Sequence, residues 1–329
     1  MTRSTRRRIF YTLVVLFIIV GGGMVFYADG WRLDFRNWHI TKIGGIYIRA
    51  FPENASLYLD GKPVQNQSGF LTTGTLVSDL LPRSYRVALK ADGYDDWQEN
   101  AAVLPSQVVQ FKYAVLVPRD AVPVPTSTAK QLTLLLTNQI ATAATTTDPY
   151  DQNQKIVFGK NKISIFDIAQ ATTTQSAAIA GKNVAVKWIS GNIVGVLQND
   201  GELYLYDTNS QTLTKLADDV KDFSATSDGS MIAALGYDSL EIFSLTDASA
   251  YSRFNIPDVA NAESVVWYHD KNHLFVVYAD RVSFLDLADT SLINFTTVAR
   301  GTKPFYDPQA NALYITTSSG MLAQYNFPD

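Results

Sequence analysis

The chain has three histidines and no cysteine, which narrows the chemistry open to it. His269 and His273 flank Asp270 in the run His-Asp-Lys-Asn-His and are the best candidate metal ligands. A zinc-type site needs three or four converging donors. On a helix, positions i and i+4 share a face, but the runs on either side are strand-like, so these histidines fall in a turn and diverge. No third ligand stands near them, and the reading is of turn residues with no metal and no cofactor. Asp95-Asp96 and Asp218-Asp219 are adjacent carboxylates. Neighbours on a strand point to opposite faces, so they would not share a proton as a catalytic dyad does. Asn199-Asp200-Gly201-Glu202 and Ser227-Asp228-Gly229-Ser230 lack the ligand series and closing glutamate of a calcium loop. Gly21 to Gly23 precede no Lys-Ser or Lys-Thr, no Gly-x-Ser-x-Gly elbow occurs, and the missing cysteine removes thiol catalysis, disulfides and a lipidated N-terminus. Binding chemistry remains. Tyr94 and Trp97 are the candidates, as rings that stack on a sugar or as ordinary packing aromatics.

These residues hang from a stretch that cannot be left in water. Ile9 to Ala28 holds no Asp, Glu, Lys, Arg or His over twenty residues. As a helix rising about 1.5 Å per residue it covers about 30 Å, the hydrocarbon thickness of a bilayer. Arg3, Arg6, Arg7 and Arg8 precede it without an acid, so residues 1–8 are expected in the cytoplasm and everything beyond Ala28 outside. The rival is a cleaved signal peptide with Arg6 to Arg8 basic, Ile9 to Val20 apolar, and Gly21 and Gly23 before the cut. Against it, the apolar run continues through Met24, Val25, Phe26 and Tyr27. Residues 29–44 form a connector. Trp31, Leu33 and Phe35 alternate as in a strand, while Trp31, Phe35 and Trp38 fit a helix face, and the segment either packs on the next domain or rests on the headgroup layer.

The 27 Lys and Arg, less the four N-terminal arginines, leave 23 bases against 31 acids, a formal charge of −8 on the exported part. Nucleic acid would be repelled. A hydrophobic fraction of 47% with 17 Tyr and 17 Phe suits a packed all-β body.

From Gly45 short alternating runs appear. Ile46, Ile48 and Ala50 share a face, as do Leu57 and Leu59, and Asp60-Gly61 signals a hairpin. Val87 and Leu89 face a core before Asp92-Gly93 turns the chain, and VVQFKYAVLVP closes the unit near Pro118. The Pro52-Glu53-Asn54-Ala55 turn, LYLDGKPV with Gly61, Leu81-Pro82-x-x-Tyr85, and Gly93-Tyr94 followed by Trp97 resemble the PEGA domain over residues 45–118. Asn54 stands where the family has Gly, and Arg83-Ser84 replace its glycine before the tyrosine. Asn tolerates a left-handed backbone, so the first change is mild. The resemblance implies a small β-sandwich serving as an envelope-exposed binding or spacer module, with glycans as one ligand class and no catalysis.

Residues 119–147 are rich in Pro, Thr, Ala and Ser and read as a linker in which only Leu132 to Leu136 could form a strand. Residues 148–329 repeat. ISIFD, LYLYD, LEIFS, VSFLD and LAQYN end at Asp167, Asp207, Ser244, Asp286 and Asn326, at spacings of 40, 37, 42 and 40. Each follows a second apolar run, KIVFG, IVGVL, MIAAL, LFVVY or ALYIT, and an aromatic with a turn: Tyr150, Trp188, Phe223, Trp267 or Phe305. Four strands per unit of about 40 residues is the arithmetic of a β-propeller blade. The run Phe223 to Gly229 resembles the hairpin of WD40-like propellers with its proline missing. Five blades are expected, with a six-bladed or incomplete ring as the alternative. The last unit lacks a fourth strand, which Leu132 to Leu136 is expected to supply.

The sequence thus describes a single-pass envelope protein with an all-β exterior, a PEGA-like sandwich beside the bilayer and a propeller beyond. It reads as a binding protein for an envelope glycan or an exported protein. The rival functions are a hydrolase or lyase on the propeller and an assembly factor that docks exported proteins by strand addition. Asn54, Asn66 and Asn294 begin Asn-x-Ser/Thr sites, which matter only in a host that glycosylates them.

Overall fold

The computed structural model describes residues 3–34, 38–64, 74–124, 145–147, 152–159, 162–178, 183–247, 251–287 and 294–328. The chain divides into two units, Met1–Leu116 and Val117–Asp329.

The first unit opens with helix α1, Arg3–Ala28. Its stretch Thr5–Ala28 is long and apolar enough to cross a membrane and is wholly unburied by the protein. Strands β1 (Trp31–Asp34) and β2 (His39–Lys42) follow as an antiparallel hairpin. The helical alternative is not adopted at Trp31, because Trp31↔Lys42 through Asp34↔His39 pair as a ladder; Phe35 lies outside the described residues. Next come β3 (Gly44–Phe51), β4 (Ser56–Leu59), β5 (Lys62–Pro63), β6 (Thr75–Leu80), β7 (Arg83–Lys90), β8 (Trp97–Val103) and β9 (Val108–Val115).

These seven strands make two sheets, β6-β3-β9 and β5-β4-β7-β8, with β3 parallel to β9. Side chains alternate along β7 and β8 between buried and exposed, as a sheet with one solvent face requires. The inward set, Ile46, Ile48, Leu57, Val77, Tyr85, Val87, Leu89, Trp97 and Phe111, forms one core between the sheets. Asp60 and Gly61 both have positive φ, 49° and 77°, as a two-residue hairpin of the I′ kind demands.

The second unit consists of five four-stranded sheets among its described residues. In chain order its strands are β10 (Val122–Pro123); β11 (Thr145–Thr147), β12 (Gln154–Gly159), β13 (Lys162–Asp167) and β14 (Thr172–Ala178); then β15 (Asn183–Ser190), β16 (Ile193–Gln198), β17 (Leu203–Asp207) and β18 (Thr212–Ala217). The third sheet holds β19 (Val220–Ala225), β20 (Met231–Gly236), β21 (Leu240–Ser244) and β22 (Tyr251–Phe254). The fourth holds β23 (Ala262–Trp267), β24 (His273–Tyr278), β25 (Arg281–Asp286) and β26 (Phe295–Arg300). The chain closes with β27 (Thr302–Asp307), β28 (Ala312–Thr316) and β29 (Leu322–Asn326).

Sheets one to four are simple antiparallel meanders in chain order, the strand pattern of propeller blades. The apolar runs that repeat in the sequence are the second strands, and the runs ending in Asp, Ser or Asn are the third. The second strands β16, β20, β24 and β28 are buried almost end to end. That burial explains why they read as continuous apolar runs rather than alternating ones. Trp188, Phe223, Trp267 and Phe305 all lie on first strands. Tyr150 lies outside the described residues.

The fourth strand of the last sheet is β10, which pairs Val122 with Gln324 and Pro123 with Ala323. The expectation gave this position to Leu132 to Leu136. Those residues lie outside the described residues, and the β29 edge is already occupied opposite Ala323 and Gln324. Proline, which has no N–H to give, is tolerated on such an outermost strand. A second strand, β11, also arises within the Pro/Thr/Ala-rich stretch, from the β-branched run Thr145–Thr147.

Candidate binding surface

The outer face of the four-stranded sheet in the first unit carries a concavity of about 510 Å³ lined by Tyr58, Asp60, Gly61, Arg86, Ala88, Lys90 and Gln98. Register builds it. Leu57 and Leu59 turn inward, so Tyr58 between them turns outward. Cross-strand pairing then lines up Pro63, Tyr58, Ala88 and Gln98 in one row across four strands. Ala88, the smallest side chain of the row, leaves the space between the tyrosine ring and the Gln98 amide.

The polar groups around this row are held in place. Asp60 accepts from the Arg86 amide at 3.0 Å and from the Arg83 guanidinium at 2.6 Å. Those two bonds, the amide first, hold its carboxyl below the usual range. The same contact with Asp60 raises the Arg83 pKa, while the Arg83 guanidinium covers the buried Tyr85 ring at 3.7 Å. The Lys90 ammonium lies 5.9 Å from the Tyr58 ring centre and pairs with Asp96. Arg86 reaches across the row to donate to the Gln98 side chain. A half-buried aromatic face beside a planar guanidinium, an amide and a carboxylate can stack on a sugar ring and bond its hydroxyls.

The residues that sequence reasoning singled out for binding lie elsewhere. Trp97 is 7% exposed and packs edge-on against Phe111 at 5.4 Å, with its ring inside the sandwich. No face of it is left for a ligand. Tyr94 is half-buried against the same core, in the turn after Gly93, whose φ is 83°. The motif positions are scaffolding. The Ala55 amide closes the Pro52 to Ala55 turn on the Pro52 carbonyl at 3.1 Å, leaving Glu53 and Asn54 exposed at its tip. Tyr85 donates to the Leu81 carbonyl at 2.9 Å across Pro82, which fixes the corner leading into β7. Tyr58, which lines the concavity, drew no attention in the sequence, although the alternation Leu57-Tyr58-Leu59 already pointed its ring outward.

The histidines part company. His269 shares a hydrogen bond with the Tyr306 hydroxyl at 3.1 Å, and His273 with Asp270 at 2.6 Å. Among the described residues no group of three or more His, Cys, Asp or Glu is placed to hold a metal ion. His273 is completely buried, stacked on Phe284 at 4.8 Å, with Asp286 at 3.7 Å from its Nε2 edge. Asp228 caps its own turn by accepting from Thr226 and Ser230 at 2.8 Å and ties that turn to Lys271; the lysine contact first, these bonds hold its carboxyl well below the usual range.

Compared with known proteins, residues 43–117 match the PEGA domain. No curated protein matches the chain. Solved structures similar in fold include the Neurospora crassa Pan2 WD40 domain, at 11% identity and TM-score 0.44 over 76% of this chain and 87% of that one. Kuenenia stuttgartiensis hydrazine synthase is similar at 12% identity and TM-score 0.41, over 50% of this chain and 52% of its own, so the match spans about half of that protein's length. The N-terminal domain of Nup159 is similar at 13% identity and TM-score 0.37, over 54% of this chain and 74% of that one. The propeller is defined by the repeated sheets of this chain rather than by these distant likenesses. The sandwich of the first unit, with the turns that carry the motif in place, matches the PEGA domain over residues 43–117.

Proposed function

We propose that this chain is a membrane-anchored, extracytoplasmic scaffold of the cell envelope that holds an envelope polysaccharide on the Tyr58 face of its PEGA domain. The propeller then serves as a platform for an exported protein. A PEGA domain and a propeller in one chain suit binding rather than catalysis. The His273 imidazole, which bonds Asp270 and is the acid–base candidate among the described residues outside the surface ion pairs, is completely buried, so a substrate has no route to it. The apolar α1 with Arg3, Arg6, Arg7 and Arg8 at its start supports an anchor with a cytoplasmic N-terminus.

The observation that carries the glycan assignment is the row Pro63, Tyr58, Ala88 and Gln98, with the Arg86 guanidinium bonded to Gln98 and, among the described residues, paired with no acid. The test is co-sedimentation of the full chain, in detergent, with isolated cell-wall polysaccharide. Tyr58→Ala and Arg86→Ala are each expected to weaken binding about tenfold, equivalent to about 1.4 kcal/mol, while Tyr94→Ala leaves it unchanged. Failure of the unaltered chain to pellet, or equal pelleting by all variants, would overturn the assignment.

A further inference from the structure

The hairpin β1–β2 has two faces with opposite surroundings. On one, Arg32 bonds Asp79 of β6 at 2.8 Å, and its neighbours Thr41 and Asp34 are buried. That face packs on the PEGA domain. The other face carries Trp31, Leu33, Ile40 and Lys42, because positions two apart on a strand share a side. Leu33 and Ile40 stand directly opposite each other at 42% and 54% exposure, and Trp38, at the end of the turn, is 80% exposed. A cluster of large apolar side chains open to solvent marks an interaction surface.

What covers it follows from what it adjoins. The Trp31 ring, on this same face, stacks on Phe26 of α1 at 5.3 Å, so the apolar surface of the helix runs on into the hairpin. Arg32 locks the junction from the other side, lying 3.5 Å over the Tyr27 ring and donating to the Tyr27 carbonyl at 2.8 Å. Ile43 adds a backbone bond to Gly30 at 2.9 Å. Tyr27, Trp31 and Trp38 are of the aromatic types that favour the depth of the headgroups. Resting on the reading of α1 as a membrane span, we propose that the Trp31, Leu33 and Ile40 face lies in the headgroup layer of the bilayer that α1 crosses. The hairpin then acts as a foot that fixes how the PEGA domain stands on the membrane.

The absence of cysteine permits a direct test. Full-length Phe17→Cys, Leu33→Cys, Ile40→Cys and Met321→Cys variants, each carrying an environment-sensitive fluorophore, are reconstituted into phosphatidylcholine vesicles. Quenching is read with bromine-labelled lipid and with aqueous iodide. The expected result is lipid quenching at positions 17, 33 and 40, with iodide quenching at 321 several-fold stronger than at 40. If 17 is quenched by lipid while 33 and 40 respond to iodide as 321 does, the foot is overturned and the anchor stands. Shielding of 33 and 40 from both quenchers means that a protein covers them, which also overturns the proposal. If 17 is not quenched by lipid, the anchor fails and the foot with it.

Discussion

The Asp222 carboxylate lies 2.9 Å from the Lys187 ammonium, and its other oxygen accepts the Val265 amide at 3.1 Å. One side chain on the first strand of the third sheet thereby ties the first strands of the sheets before and after it. The two bonds are not equal. The Lys187 side chain is 44% exposed, and ion pairs of that kind contribute about 0–1 kcal/mol. The Val265 amide would be left without its acceptor, at about 1–3 kcal/mol. Asp222→Ala is therefore expected to lower the melting temperature of the propeller unit by about 3–8 °C, and Lys187→Met by no more than about 3 °C. Equal losses would show that the ion pair, not the amide, is the tie.

Gly195 and Phe223 make a second junction between sheets. A Cβ on Gly195 would fall 2.4 Å from the Phe223 ring, which is itself fully buried. Overpacking of this kind costs about 1–3 kcal/mol. Gly195→Ala is expected to destabilise by that amount in urea, and Gly195→Ala with Phe223→Leu by less than the sum of the two single changes, because the smaller ring vacates the contested space. Strict additivity would mean that the ring already moves aside freely.

Tyr58 and Trp97 separate binding from packing within one sheet pair. Trp97→Ala removes an indole from the sandwich core and is expected to cost about 3–5 kcal/mol, enough to unfold much of the PEGA domain at 37 °C. Tyr58→Ala, on the outer face, is expected to leave the melting temperature within about 2 °C. Thermal scans of both variants decide the matter, and a large loss at Tyr58 would show that the ring is structural.

Much of this fold was legible because period and composition agreed. The second and third strands of each propeller sheet repeat at nearly constant spacing, and Asp60-Gly61 marked its hairpin through a backbone demand few other pairs meet. Short pairings were not legible. Val122–Pro123 has no pattern of its own and becomes a strand only because β29 offers an edge. The hairpin at Trp31 was ambiguous because its aromatic and apolar residues fit a strand period and a helix period equally, and only the pairing of Trp31 to Asp34 with His39 to Lys42 decides between them. The placement of the candidate aromatics was not legible for a simpler reason. Aromatics near turns draw attention, yet alternation decides which of them faces out, and it buries Trp97 while exposing the Tyr58 edge.

His273 gives the fold a titratable core. Complete burial disfavours its charged form, but the Asp270 hydrogen bond at 2.6 Å and the nearby Asp286 outweigh that, raising its pKa to about 9. Asp270 is the firmer partner, since Nε2 stands 3.7 Å from Asp286, within ion-pair range and beyond a hydrogen bond. Because the folded pKa lies above the ordinary value of 6.5, the folded state binds the proton more tightly than the unfolded chain does. The stabilisation is complete below about pH 6.5 and disappears as pH rises through about 9. It amounts to on the order of 3 kcal/mol at its fullest. Melting of the full chain is expected to fall by several degrees between pH 7 and pH 10, and His273→Gln, less stable at pH 7, is expected to lose most of that dependence. A His273→Gln profile parallel to that of the unaltered chain would place the alkaline loss elsewhere and leave His273 neutral in the core.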